Sequence, residues 1–371
     1  MTALSRDEMF EQALGLFRVG KIEDSVGLLR RLCDADPNDQ PVLRALATFH
    51  SNVGDLKGAI PYYLRDLRCG ITLETVRSLG AAYINLGDTS ALEALAEEMH
   101  DLIWDDEVIL QVWGFNLWDR KLAAKSIPFL KRAAQLAPDT PLFHYNLSAA
   151  LISAERPEEA VQAYARHVTP WTGACTQKDV IGEYKTVSQG YDDNGLHHSF
   201  TERLLRCYGD AVPARRLRSV LELGCGTGLL ATKMPASATS IWGIDISPDM
   251  LDAARARGIY DRLLEGDLVT VMEGISESFD TVFSACVLYH IADLRPVFTN
   301  VARLLKPEGV FAFSVDPMTD EQDIAVTLKG EFCHSRAYLR RLAAEVGLSE
   351  RLIEIQMHRA PPGFFCVFKK L

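Results

Sequence analysis

The sequence predicts an all-helical repeat array joined to a doubly wound α/β domain. Three observations predict it. Small residues recur at a 34-residue interval through the first half. From about Ser219, short β-rich runs alternate with amphipathic helical stretches. Between the two halves, the turn-rich run Thr169-Pro170-Trp171-Thr172-Gly173 breaks the helical periodicity. A chain of 371 residues has room for two or three domains. The expected division is a helical domain over 1–168, a linker over 169–180 and an α/β domain over 181–371.

In the helical half, one set of small residues comprises Ala13, Ala47, Ala81, Gly114 and Ser148. A second set comprises Ser25, Ala59, Ser126 and Ala160. Paired helices approach closely only where a small side chain faces the neighbour, so each set marks one helix of a pair. Gly20, Gly54 and Gly87 fall in the loops between them, where glycine tolerates the turn. Pro37 and Pro138 fall where the second helix must stop. Five units are expected between about Arg6 and His167, the middle one a residue short. The pattern resembles the tetratricopeptide repeat, with departures at the aromatic positions, which are mostly Leu, and in the third unit. That resemblance implies a helical solenoid whose concave face holds a protein partner or a second copy of the chain. An irregular helical domain is the alternative.

Composition narrows the function classes. With 48% hydrophobic and 24% charged residues the chain is ordinarily globular, which excludes a largely disordered, collagen-like or disulfide-scaffold protein. Its 39 basic residues against 50 acidic ones give a net charge of −11, the wrong sign for holding nucleic acid through phosphates. The eight cysteines include no Cys-x-x-Cys pair, so neither a structural zinc nor a redox dithiol is expected. They read as reduced thiols of a cytoplasmic protein. The opening MTALSRDEMF lacks the order of a signal peptide, and no apolar run is long enough to span a membrane.

In the α/β half, strands are expected at SVLEL, SIWGID, a run before Leu264, FDTVFSA, GVFAFSV, IEIQMH and FFCVFKK. The first runs straight into Gly224-Cys225-Gly226-Thr227-Gly228, with Glu222 just before. Glycines there allow a sharp turn and let a ligand lie against bare main chain. A dinucleotide loop wants its third glycine at position 229, which is Leu229, so the spacing is G-x-G-x-G. Asp245 ends the second strand, 21 residues after Gly224, and Asp267 follows the third.

These motifs, with FDTVFS and LLKPEGVFAFSV following in order, resemble the class I S-adenosylmethionine-dependent methyltransferases over roughly residues 180–371. The resemblance implies a Rossmann-like seven-stranded domain that binds S-adenosylmethionine, releases S-adenosylhomocysteine and needs no metal. It implies that Gly224, Cys225, Gly226 and Gly228 line the methionine and ribose, and that Glu222 orients the loop or meets the amino group, or else only caps the next helix. It places Asp245 on the ribose, Ile246 and Met250 beside the adenine (Met250 or else in the core), and Asp267 and Leu268 at the adenine edge. Cys286 falls on the segment that usually faces the transferring methyl, where many relatives carry Asp.

That segment, Ser284-Ala285-Cys286-Val287-Leu288-Tyr289-His290, lacks the signatures of amino-methylating nucleic-acid enzymes and of arginine methyltransferases. Methyl transfer needs alignment and sometimes a base. His290 is the first candidate base, with packing at a helix start as the alternative; Tyr289 and His334 complete the catalytic candidates. Upstream, Tyr184 and Tyr191 belong to a leader that closes over the cofactor, with Tyr191 suited to cover a sulfonium. His197 and His198 face either substrate or solvent, with solvent favoured. The expected function is methyl transfer to an oxygen or nitrogen of a small-molecule, glycan or carrier-borne acceptor. A protein methyltransferase whose repeats grip the polypeptide, a non-catalytic scaffold and a nicotinamide oxidoreductase are the rivals.

Overall fold

The computed structural model describes residues 4–173, 182, 191–213 and 217–371. They divide into two compact units, Met1–Ala137 and Pro138–Leu371.

The first unit is helical, with nine helices from Arg6 to Leu136 among the described residues. Their starts are written locally. Asp39, Asp55, Thr72, Asp88 and Asp106 each cap a helix by accepting a backbone N–H from its first turn, worth about 1 kcal/mol apiece. Gly20, Gly54 and Gly87 take the left-handed conformation (φ 76°, 80° and 75°) that ends the first helix of each pair. Ala13, Ala47 and Ala59 are fully buried, and the Ser25 hydroxyl donates to the Ala13 carbonyl at 2.7 Å, tying the two small positions of the first pair together.

The third pair differs in register from the sequence expectation. Ala81 is only half-buried, and the close approach falls on Gly80, where a Cβ would lie 2.0 Å from the Trp113 ring. The missing residue therefore precedes this small position, which restores its seven-residue distance to Gly87. Gly114 does the same against Leu130, at 2.6 Å. Gly80→Val is expected to cost about 1–3 kcal/mol by overpacking against Trp113, read as a shift of the denaturation midpoint of the full chain.

The second unit holds the α/β fold. Strands β1 (Thr169–Pro170), β2 (Ser219–Leu223), β3 (Ser240–Asp245), β4 (Arg262–Glu265), β5 (Phe279–Ser284), β6 (Leu305–Met318), β7 (Ile324–Val326), β8 (Phe332–Ser335), β9 (Leu348–Met357) and β10 (Pro362–Lys370) form one mixed sheet. Its main path runs β4-β3-β2-β5-β6-β10-β9, parallel from β4 to β6, with β10 antiparallel to both neighbours. The end of β6 also carries β8, then β7 and β1. The expected strands are all present, in the expected order. Phe298, Phe311, Phe313, Phe364 and Phe368 fill one face and Phe200, Phe283 and Phe365 the other.

Chain direction makes the site. From β2 the chain builds outward to β3 and β4, then returns to β5 on the other side of β2. Connections leave β2 and β5 toward opposite edges, and a crevice opens beyond their carboxyl ends.

Packing also moves the division between units from the expected 168 to Pro138. Helices Pro141–Ser153 and Pro157–Tyr164, counted by periodicity as the fifth pair, lie against β6, β9 and β10. The first is buried continuously from Asn146 to Ile152, so that stretch has no solvent face. Val161 enters the sheet's core, and Arg336 pairs with Glu158 at 3.0 Å. No helix among the described residues is long and apolar enough to cross a membrane.

Candidate functional site

At the crevice lies a cavity of about 140 Å³, partly open to solvent. Its wall brings together Tyr191, Gly224, Gly226, Asp245, Ile246, Met250, Asp267, Leu268, Cys286 and His290, all singled out by sequence. Ala285, Val287 and Ile291 complete it.

The glycine loop works as bare backbone. Gly224 and Gly226 adopt left-handed conformations (φ 65° and 53°). A Cβ at Gly224 would press into Val287, 2.4 Å away, whereas a Cβ at Gly226 would meet nothing within 4 Å. The space over Gly226 is therefore open to a ligand. Asp245 locks the loop from the neighbouring strand: its Oδ2 accepts from the Gly226 N–H at 2.7 Å and its Oδ1 from the Ser247 N–H at 2.9 Å. Burial raises the Asp245 carboxyl above its ordinary pKa, partly countered by the Ser247 and Gly226 amides. Asp267 caps the helix Leu268–Glu273, its Oδ1 accepting from the Thr270 N–H at 3.0 Å. Two carboxylates, a glycine cradle and three apolar side chains (Ile246, Met250, Leu268) suit a nucleoside with a polar tail. The donor set fits S-adenosylmethionine.

Three expected cofactor contacts lie behind this wall. Glu222 is buried under the loop, where Tyr260 donates to its Oε2 at 2.7 Å. Cys225 is buried, its N–H donating to the Ile244 carbonyl at 2.9 Å. Gly228 starts the helix Leu229–Thr232 and turns toward Tyr260 rather than the cavity. The reason is shared: the loop curls back over β3, so these three positions, spaced three apart, turn toward the sheet and Tyr260. Glu222 braces the loop from beneath through Tyr260.

Desolvation pushes the Glu222 carboxyl up to about 8 from its ordinary 4.5, against the lowering effect of the Tyr260 bond. The sign follows. Below pH 4.5 both folded and unfolded forms are protonated and the contribution is complete; as pH rises toward 8 the unfolded chain ionises first and the folded state loses relative stability. The wild-type chain is expected to lose about 3 kcal/mol between pH 5 and 8 relative to Glu222→Gln, measured by denaturant titration at each pH. Parallel pH profiles for the two proteins would refute it.

Two catalytic candidates are corrected. His334 is fully buried in β8, with Nε2 bonded to the Ala292 carbonyl at 2.9 Å and its ring stacked on Tyr338. Burial pulls it down to about 4. It props the segment behind Ile291 instead of facing the cavity, because β8 pairs with the end of β6 and turns this position inward. Tyr289 is likewise outside the wall: its ring lies 4.1 Å from His290 and 4.2 Å beneath the Arg359 guanidinium. His290 alone of the three lines the cavity.

The leader segment is held by His197 and His198, which the sequence singled out, and by Asp192 and Arg257, which it did not. Tyr191 stacks on His197 at 3.8 Å, and His197 Nδ1 bonds the Tyr191 carbonyl at 2.7 Å. His198 Nε2 bonds the Asp192 carbonyl at 2.8 Å, so both histidines secure the leader turn, contrary to the expectation of solvent. Asp192 accepts from Thr227 Oγ1 at 2.7 Å and pairs with Arg257. Tyr184 lies outside the described residues. Among the described residues, no cluster of His, Cys, Asp or Glu has a metal-holding arrangement.

Residues 221–313 match the family described as methyltransferase domain. The chain is 36% identical to an uncharacterized methyltransferase of Schizosaccharomyces pombe over 118 residues, 30% of this chain and 45% of that protein. It is 27% identical to the malonyl-[acyl-carrier protein] O-methyltransferase of Enterobacter lignolyticus, over 44% of this chain and 68% of that protein. It is also similar to the solved N-methyltransferase NodS of Bradyrhizobium japonicum in complex with S-adenosylhomocysteine, at 18% identity and TM-score 0.42, over 52% of this chain and 99% of that one. The chain spans about half the length of most of the curated relatives it matches.

Proposed function

We propose that this chain is an S-adenosylmethionine-dependent methyltransferase that acts on an oxygen or nitrogen of a small-molecule, glycan or carrier-borne acceptor. One observation carries the reading: a single cavity holds the open main chain of Gly226, the carboxylates of Asp245 and Asp267 and the imidazole of His290. Bound S-adenosylmethionine supplies a methyl carbon already activated by its sulfonium. Asp245 accepts from the ribose hydroxyls and Asp267 from the adenine amino group, with Ile246, Met250 and Leu268 packed on the ring. Tyr191, fixed by His197, covers the sulfonium side and excludes water. His290 takes the acceptor's proton as the methyl leaves.

The similarity to a malonyl-[acyl-carrier protein] O-methyltransferase favours a carrier-borne acceptor for this chain as well. The repeats expected over residues 1–168 are read, as far as Leu136, as tetratricopeptide repeats that recruit a protein partner or a second copy. A polypeptide substrate is the second reading, favoured by the exposed stripe Val108, Val112 and Phe115 along one helix face. Seven free thiols among the described residues match a reducing compartment, the cytoplasm.

Calorimetric titration of the full chain with S-adenosylhomocysteine tests the reading. Micromolar binding that excess NAD does not displace is expected. Absence of heat at millimolar ligand would favour the scaffold, and displacement by NAD the oxidoreductase.

A further inference from the structure

Cys286 stands out in the cavity wall for its backbone. Among the described residues, four non-glycine residues have positive φ; Lys121 and Glu155 occupy exposed turns and Glu308 an exposed position near the start of β6. Cys286 (φ 57°) is buried. A left-handed, side-chain-bearing residue is strained and persists only where its surroundings over-determine it.

The surroundings are a chain of buried polar groups. The Cys286 N–H donates to Ser314 Oγ at 2.9 Å. Ser314 Oγ is bonded to His358 Nε2 at 2.9 Å, and His358 Nδ1 to Asp316 Oδ1 at 2.8 Å. Asp316 is anchored in turn by Arg359 and by the Tyr164 hydroxyl at 3.4 Å. Ser314, Asp316 and His358 are all fully buried, so water offers none of them a substitute partner. Ser314 and Asp316 point from β6 and His358 follows β9, the two strands flanking β10. On the other side of the turn, Val287 presses against Gly224. The position of residues 285–287 thus sets the gap between the two walls of the cavity.

We infer that His358 and Asp316 are positioning residues for the cofactor cavity, acting through the Ser314 hydroxyl to hold the Cys286 amide and the left-handed turn around it. The turn's link to ligand binding rests on the methyltransferase reading; the hold on the Cys286 amide does not.

Two measurements on the full chain separate these parts. The first is amide exchange at residues 285–287, with the β5 peptide 279–284 as internal reference. His358→Asn keeps reach to Asp316 but not to Ser314. It is expected to speed exchange at Cys286 by about tenfold or more with the reference unchanged, and His358→Gln, which reaches Ser314 again, to reverse this. Ser314→Ala removes the acceptor of the Cys286 N–H itself and gives the answer if His358→Asn does not fold. The second is calorimetry with S-adenosylhomocysteine. His358→Asn is expected to weaken binding about tenfold, and adding Cys286→Gly, which relieves the left-handed strain, to restore most of it. Unchanged exchange at Cys286 in both His358→Asn and Ser314→Ala would overturn the inference. Faster exchange with undiminished ligand affinity would overturn its link to the cavity. A wild-type chain that binds no S-adenosylhomocysteine would overturn the methyltransferase reading, and the exchange ratio would still decide the hold on Cys286.

Discussion

Gly226→Leu is expected to reduce S-adenosylhomocysteine affinity by about 100-fold or more, ~3 kcal/mol, while the chain stays folded. The space above Gly226 is open, so a Cβ there meets no protein atom within 4 Å and the side chain starts into the cavity. The left-handed backbone (φ 53°) adds about 1 kcal/mol of strain for a residue with a Cβ. The cost to folding is thus small, and the cost to binding is the volume of a leucine where the ligand lies. Gly224→Ala makes the useful contrast. It clashes with Val287 at 2.4 Å and should lower the melting temperature first. Calorimetry paired with thermal melting distinguishes the two. Wild-type affinity for Gly226→Leu would mean that the ligand does not cross the glycine loop.

Asp245→Ala should cost about 2 kcal/mol of cofactor affinity, roughly 30-fold. The carboxylate has two duties. It holds the Gly226 amide at 2.7 Å and the Ser247 amide at 2.9 Å, and in the proposed complex it also accepts from the ribose. Asp245→Asn separates them, because the amide's oxygen retains one acceptor for the loop. Its affinity should fall between those of wild type and Asp245→Ala. The Asp245→Ala chain should also be less stable without ligand, since two loop amides lose their partner. If affinity is unchanged in both variants, the ribose assignment is wrong.

Much of the site could be read in one dimension. The strand that runs into Gly224-Cys225-Gly226, the acid that ends β3 and the acid after β4 are local patterns, and each appears where its spacing put it. Asp39, Asp88 and Ser335 cap their helices through equally local contacts. Single-strand and single-turn preferences decide such features within a few residues, with no help from distant chain.

What faces what was decided elsewhere. Glu222, Cys225 and Gly228 belong to the right loop but turn toward the sheet. His334 follows β8 into the interior, and Gly80 rather than Ala81 meets Trp113. His358 has no local mark at all; it gains a role only because β6 and β9 bring it to Ser314 and Asp316, more than forty residues earlier in the chain. The helices from Pro141 to Tyr164 read as more of the same repeat, yet their buried faces pack on the sheet. Sequence by itself determined the backbone elements and the kinds of chemistry available, because propensity and periodicity are short-range. Only the tertiary structure decided which of those groups share a cavity and which support it from behind, because that depends on sheet order and on contacts between residues far apart in the chain.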